Sequence, residues 1–281
     1  MFQNKIIQVH PLLLLLLVAS YFLGMFIELI SFFIIISIHE LGHYAAARYY
    51  KWNITRLMIW PFGGVMETED FYTRPNREEF MVTIAGPIQH IWIYIVLWII
   101  SMNGFEHVLL DRLFWINTII LLFNLIPIMP LDGGKLVFIG LNKMVSFHQS
   151  LICMSLFSMV IIVLINIGLL SINWTSIHLL FLSVFLVFDN WLLWKNKHII
   201  LLKHLLARYL VRQEHMSEIE LLKAQPKARI NDIVKHFKKD HYHYIYVNDK
   251  RTPISEEDCL RALFTYQQPH LTISKLSSKG A

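Results

Sequence analysis

Two histidines four residues apart, with a glutamate directly after the first, carry the clearest chemical signal in this chain: His39-Glu40-Leu41-Gly42-His43. On a helix that spacing brings both imidazoles to one face, and neutral imidazole nitrogens bind zinc at about 2.0–2.1 Å. A glutamate beside the first ligand can act as general base toward a zinc-activated water. The pattern predicts hydrolysis. Its setting strengthens the reading, because the motif lies within an apolar run, where ionisable side chains cost about 2.5–3.5 kcal/mol each and three together need a compensating role.

Two imidazoles leave a zinc site short of a third protein ligand, which must come from another element at similar depth. Asp132 is the best candidate. It follows Asn124-Leu125-Ile126-Pro127-Ile128-Met129-Pro130-Leu131 and precedes Gly133-Gly134, so two prolines break a hydrophobic stretch and free backbone carbonyls beside a carboxylate. Read alone, Asp132-Gly133-Gly134 also suits a membrane-exit turn. His43 precedes Lys51 and Asp132 precedes Lys135, so both elements approach the same charged face.

The elements that must position these residues are written in the composition. Of 281 residues, 56% are hydrophobic and 16% charged, above the roughly 45–50% apolar content of soluble domains. Six apolar spans are expected, at 8–26, 29–50, 80–102, 109–129, 151–170 and 174–194, each near the ~20 residues that cross a bilayer. The N-terminal run has no small-residue cleavage site and reads as a retained helix rather than a signal peptide. The fold class is thus a polytopic α-helical membrane protein with a small C-terminal α/β domain. The expected division is a membrane metalloprotease domain over 1–194, a helical connection over 195–224 and a cytoplasmic domain over 225–281.

Charge sets the orientation. Beyond Trp194 lie 16 of the 25 Lys and Arg and 9 of the 20 Asp and Glu, so the tail carries +7 and the rest −2. An excess that begins directly after a hydrophobic span marks a cytoplasmic, lipid-facing side rather than a nucleic-acid surface. With the tail inside, Lys5, Lys51, Arg56, Arg74, Arg77, Lys135 and Lys143 share its side and Arg112 faces the other, which places both termini in the cytoplasm. Cys153 and Cys259 form no disulfide framework.

The 51–79 connection contains Trp60-Pro61-Phe62-Gly63-Gly64-Val65, which suits either an element dipping back into the bilayer beside a site or a surface loop with a glycine turn. In the tail, 195–225 reads as largely helical. Tyr242, Tyr244 and Tyr246 alternate with His243, Ile245 and Val247 as in a strand, Asn248-Asp249-Lys250 reads as a turn, and Ser255 with Asp258 caps a helix running to Phe264. His10, His107, His148 and the tail histidines are assigned to interfacial or surface positions, and Asp189 to a snorkelling environment near the end of its span. Other functions compatible with a polar site in apolar spans are a zinc transporter, which would favour several exchangeable sites, and a catalytically silent scaffold, which would lack the motif's glutamate.

His39-Glu40-Leu41-Gly42-His43, the 124–134 stretch, Phe62-Gly63-Gly64 and Ala85-Gly86-Pro87 together resemble the site-2 protease family of intramembrane zinc metalloproteases. The resemblance implies His39, His43 and Asp132 as zinc ligands, Glu40 as the base, and Asn124 as a residue that orients substrate or water; the loop with Phe62, Gly63 and Gly64 is expected to pair with a substrate segment extended for cleavage. His90 departs from it, since the wider family often carries Asn three residues after the Gly-Pro pair. Members from endospore-forming bacteria imply, as substrate, the inactive precursor of a late sporulation sigma factor, with inhibitory membrane proteins as regulators and the mother-cell membrane around the forespore as location. The tail is similar to a single cystathionine-beta-synthase-type module, which implies ATP as a ligand and pairing with a second subunit.

Overall fold

The computed structural model describes residues 7–9, 11–60, 63–103, 108–172, 177–210, 218–247 and 253–279. In chain order the elements are β1 (Ile7–Val9), α1 (Pro11–Phe22), α2 (Phe26–Tyr49), β2 (Ile54–Trp60), β3 (Gly63–Thr68), α3 (Asn76–Met102), α4 (Val108–Asn124), α5 (Asp132–Met144), α6 (Phe147–Ser171) and α7 (Ile177–Leu210). The tail adds β4 (Glu218–Ala224), α8 (Ile230–Ile233), a 3₁₀ turn at Val234–His236, β5 (His241–Val247), β6 (Ile254–Ser255), α9 (Glu256–Phe264) and α10 (Ile273–Lys279). The chain divides into two compact units, Met1–Pro127 with Leu131–Leu136, and Ile128–Pro130 with Val137–Ala281.

Among the described residues, α2, α3, α6 and α7 from Leu179 are long and apolar enough to cross a membrane. Their outer faces are greasy: Ile91, Trp92, Val96 and Trp98 on α3 and Val160, Val163 and Leu164 on α6 are all exposed. Leaving such surface in water forgoes roughly 25 cal/mol per Å², so hydrocarbon is the solvent these faces match. The protein is integral to a membrane. Two expected spans are shorter than predicted, and each has a local cause. The helix expected over 8–26 runs for 12 residues, because β1 takes the chain before Pro11 and Gly24, at φ +71°, ends it. Met25 N–H donates to Ser20 O and Gly24 N–H to Tyr21 O, the bonding of a Schellman cap. The helix expected over 109–129 stops at Asn124 after 17 residues, since Pro127 and Pro130 bring no N–H and disfavour helix in the residues before them.

In the first unit, α2 packs on α3 and α4 through Ile35, Ile36 and Ile120, with Phe32, Phe33, Ile93, Leu113 and Ile116 around them. A second cluster, Ala47, Trp52 and Val82 with Tyr50, Ile54, Met66 and Phe71, seats a hairpin against the end of α2. That hairpin is the 51–79 connection: β2 pairs antiparallel with β3, Trp60 opposite Gly63 and Ile59 opposite Gly64, and β1 lies parallel on the other edge of β2. β-branched Ile54, Thr55 and Thr68 favour the pleat. Thr55 Oγ1 donates to Glu67 O and Thr68 Oγ1 to Asn53 O across it.

In the second unit, the backbone groups freed where the prolines break the helix are taken up by side chains. Met129 N–H donates to Ser158 Oγ at 3.0 Å, and Asn190 Nδ2 donates to Met129 O at 2.6 Å. Side chains thus take the place of the helical hydrogen bonds that this irregular backbone lacks. The tail sheet has the order β4-β5-β6, with β4 parallel and β6 antiparallel to β5. His243, Ile245 and Val247 form its buried side, and Ser255 Oγ accepts from Asp258 N–H to cap α9, which ends at Phe264 as expected. The expected turn at 248–250 lies outside the described residues, as do His10 and His107.

Two tail expectations need correction. Among the described residues of 195–224, the chain is helical to Leu210, and Glu218–Ala224 is a strand, because Ile219 and Leu221 alternate with Glu218 and Glu220 at the period of a pleat. His204 and His243 are buried rather than superficial. His204 stacks on Phe147 with ring centroids 4.1 Å apart. His243 Nδ1 bonds Glu256 Oε2 at 2.8 Å, and its Nε2 accepts from Lys238 N–H at 3.0 Å. Burial holds its pKa below the usual imidazole value, against the upward pull of Glu256. Glu256 also receives Arg208 Nε and Nη2 at 2.8 and 2.9 Å, while Arg208 Nη1 reaches Lys238 O at 2.7 Å. Removing one partner of a buried ion pair leaves an uncompensated charge. Arg208→Met is expected to lower the tail's stability by about 3–5 kcal/mol, read as faster hydrogen exchange in β5 and α9, and Arg208→Met with Glu256→Gln is expected to recover part of the loss.

Candidate metal centre

The site forms where α2, α3 and the start of α5 meet within the first unit. His39 and His43 sit one turn apart on α2, both buried, and Asp132 opens α5, also buried. Asp132 Oδ2 lies 3.1 Å from His39 Nε2 and 3.0 Å from His43 Nε2, and the two nitrogens are 3.1 Å apart. These are the three groups expected as ligands. His43 Nδ1 donates to Val82 O at 2.8 Å, so in the neutral imidazole Nε2 carries a lone pair. That lone pair faces a carboxylate oxygen that has no hydrogen-bond donor. Converging acceptors in a buried place repel one another unless a cation lies between them.

The donor set fits zinc. A tetrahedral ion with bonds of about 2.0–2.1 Å has ligand atoms about 3.3 Å apart, close to the sides of this triangle, and the three groups could hold a metal ion. The second oxygen of Asp132 is engaged elsewhere: Lys135 Nζ donates to Oδ1 at 3.2 Å from one turn along α5. Glu40 follows His39 on α2 and is half-buried.

Close helix approach makes the triangle possible. A Cβ on Gly86 would overlap His43 Nε2 and stand 2.9 Å from His39 Cε1, and one on Gly42 would collide with Ala85 O. Small residues at these two positions let α2 and α3 pack backbone to backbone, as membrane helices often do. Gly133 has the same need, since its Cβ would overlap Leu125 O.

The other expected site residues fall as follows. Asn124 ends α4 with Nδ2 donating to Ile120 O at 3.0 Å, Gly63 and Gly64 begin β3, and Phe62 lies outside the described residues. Sequence reasoning passed over two buried residues that join the cluster. His90 Nε2 is 3.1 Å from His39 Nδ1, and His90 Nδ1 is 2.7 Å from Asn117 Oδ1. His90 drew notice only as a departure from a pattern. Asn117 is a polar side chain inside the apolar run of α4, and that alone could have flagged it.

Peptidase family M50 matches residues 27–109, which hold the histidine motif and His90. Stage IV sporulation protein FB of Bacillus subtilis (strain 168) is 31% identical over 274 residues, covering 96% of this chain and 95% of that protein. A zinc metalloprotease of Methanocaldococcus jannaschii is 33% identical over 166 residues, 57% of this chain and 47% of its own length. The solved Site-2 Protease from Methanocaldococcus jannaschii is similar with a TM-score of 0.53 at 28% identity, over 69% of this chain and 94% of that one. Helices that suit a bilayer and a buried His-His-Asp cluster define the class, a zinc metalloprotease of the membrane. Within it, the chain belongs to the site-2 protease family, peptidase family M50.

The helix contact supplies a test. Gly86→Ala adds a methyl with no room beside both imidazoles, an overpacking expected to cost about 1–3 kcal/mol, and zinc content after chelator challenge should fall. Gly140→Ala, where nothing lies within 4 Å of the added Cβ, should retain zinc like the native chain.

Proposed function

We infer that this chain is an intramembrane endopeptidase that cleaves a membrane-associated protein, with His39, His43 and Asp132 as zinc ligands and Glu40 as general base. The observation that carries the reading is the buried triangle of His39 Nε2, His43 Nε2 and Asp132 Oδ2, with sides of 3.0–3.1 Å. Zinc bound there supplies Lewis acidity, which lowers the pKa of water toward about 7. Glu40 takes a proton from the attacking water and returns it to the departing amine. Lys135 holds the outer oxygen of Asp132 and keeps its carboxylate turned toward the imidazoles.

A helical substrate must first free the scissile carbonyl from its own hydrogen bond. The outer edge of β3, last in the order β1-β2-β3, supports a role for the hairpin around Phe62, Gly63 and Gly64 in pairing with an extended segment. Asn124 completes the proposed substrate contacts. Likeness along nearly the whole chain to a sporulation protein supports, as substrate, the precursor of a late sporulation sigma factor. The proposal extends to a six-span membrane domain with both termini in the cytoplasm.

Glu40→Gln should keep zinc bound and slow cleavage at least about 10²-fold, the lower end of general acid–base contributions. Mass analysis of a reconstituted candidate precursor reads this, and near-native turnover with full zinc would exclude Glu40 as the base. Orientation has its own test in a chain whose Cys153 and Cys259 are replaced by Ser. A membrane-impermeant thiol reagent applied from the cytoplasm should label Lys143→Cys and spare Asn103→Cys, both exposed positions, and the reverse order would invert the topology.

A further inference from the structure

We propose that His90 and Asn117 are positioning residues that act as a tautomer relay, presenting His39 to zinc with its Nε2 lone pair free. The inference rests on the zinc reading above and concerns residues to which that reading gives no role. It begins with a difference between the two histidine ligands. His43 donates Nδ1–H to Val82 O, and a backbone carbonyl can only accept, so the tautomer of His43 is settled by one contact. His39 instead faces another imidazole, with 3.1 Å between its Nδ1 and His90 Nε2. An imidazole nitrogen can donate or accept. If His90 donated, Nδ1 of His39 would carry the lone pair and Nε2 would carry a hydrogen, aimed at Asp132 and away from any role as a ligand.

Asn117 removes that freedom. Its Nδ2 donates to His90 O at 3.3 Å, which turns the amide so that Oδ1 meets His90 Nδ1 at 2.7 Å. An amide oxygen carries no hydrogen, so His90 Nδ1 must donate. A neutral imidazole has one N–H, so His90 Nε2 is left as an acceptor. His39 Nδ1 must then donate to it, and His39 Nε2 is left as a lone pair 3.1 Å from Asp132 Oδ2. His39, His90 and Asn117 are all buried, so the chain of donors runs where bulk water does not compete. Metal-binding histidines commonly give the outer N–H to a carboxylate, a carbonyl or water. Here a second histidine takes that place, and it needs a third residue to make it an acceptor.

A plainer role is available to the same atoms, because His90 on α3 and Asn117 on α4 also staple two helices together. The structure supplies a control for it. Tyr94 Oη and Thr118 Oγ1 form a 2.7 Å hydrogen bond between the same two helices without touching the site. A relay and a staple therefore predict different outcomes.

The experiment uses full-length protein in lipid with ¹⁵N-labelled histidine. Zinc-free native chain should show His39 as a single Nδ1–H tautomer by ¹⁵N chemical shift, and a predominant Nε2–H tautomer would overturn the relay whether or not any variant folds. Asn117→Leu should give mixed tautomers at His39 and weaken zinc about 10–100-fold in chelator competition, the usual cost of losing an outer partner. Asn117→Asp restores an acceptor opposite His90 Nδ1 and should recover zinc affinity. Tyr94→Phe, which removes only the Tyr94–Thr118 bond between the same two helices, should leave affinity and tautomer native. Equal losses in Asn117→Leu and Tyr94→Phe, or native zinc affinity in a folded Asn117→Leu, would reject the relay in favour of the staple. Failure of the native chain to hold zinc would reject the zinc reading instead, while the zinc-free tautomer would still decide the relay.

Discussion

Holding one carboxylate oxygen and two imidazole nitrogens 3.0–3.1 Å apart, all buried in a helical unit with greasy outer faces, is the arrangement around which the first unit is organised. Such groups separate or change protonation unless something positive joins them or the surrounding structure keeps them in place. The surrounding structure does so from three directions. α2 supplies both imidazoles at one-turn spacing. α3 comes close enough at Gly86 to back them and gives Val82 O to His43. The prolines that end α4 let the chain re-enter as α5 with Asp132 at its first position.

Each device has a cost that another residue offsets. Breaking the helix frees the N–H and C=O of Met129, and Ser158 and Asn190 receive them. Placing a carboxylate beside two imidazoles leaves its second oxygen needing a partner, and Lys135 provides one. Close packing of α2 on α3 forgoes side-chain volume at Gly42 and Gly86 and gains backbone proximity in return. The polar residues of this apolar chain are therefore not scattered. Many of them answer a need created by the site or by the broken helix that leads to it.

What could be read from the sequence follows from how local each feature is. His39, Glu40 and His43 lie within five residues, and helical periodicity alone brings the two imidazoles together. Asp132 was reachable through the proline break and the charge pattern, and the structure places it with them. The strand at His241–Val247 and the cap at Ser255 were legible for the same reason, as short-range patterns with one physical meaning. His90 and Asn117 were not, because their meaning lies in a pairing between helices 27 residues apart in sequence. The hairpin at 54–68 was obscured by glycines that suit several turns, and β4 by a helical pattern ending shortly before it. The helix lengths at α1 and α4 were overestimated because hydropathy does not register where Gly24 or Pro127 stops a helix.

The grip of Arg208 on Glu256 bears on where the tail can be cut away from the rest of the chain. The guanidinium belongs to the last turn of α7, yet its partners, Glu256 and the carbonyls of Lys238 and His241, all belong to the tail. A fragment beginning at residue 225 would lack β4, the parallel partner of β5, and would carry Glu256 buried without its cation. A fragment that keeps the end of α7 carries both halves of the pair. A soluble tail that keeps this ion pair therefore begins inside α7, ahead of Arg208, rather than at residue 225.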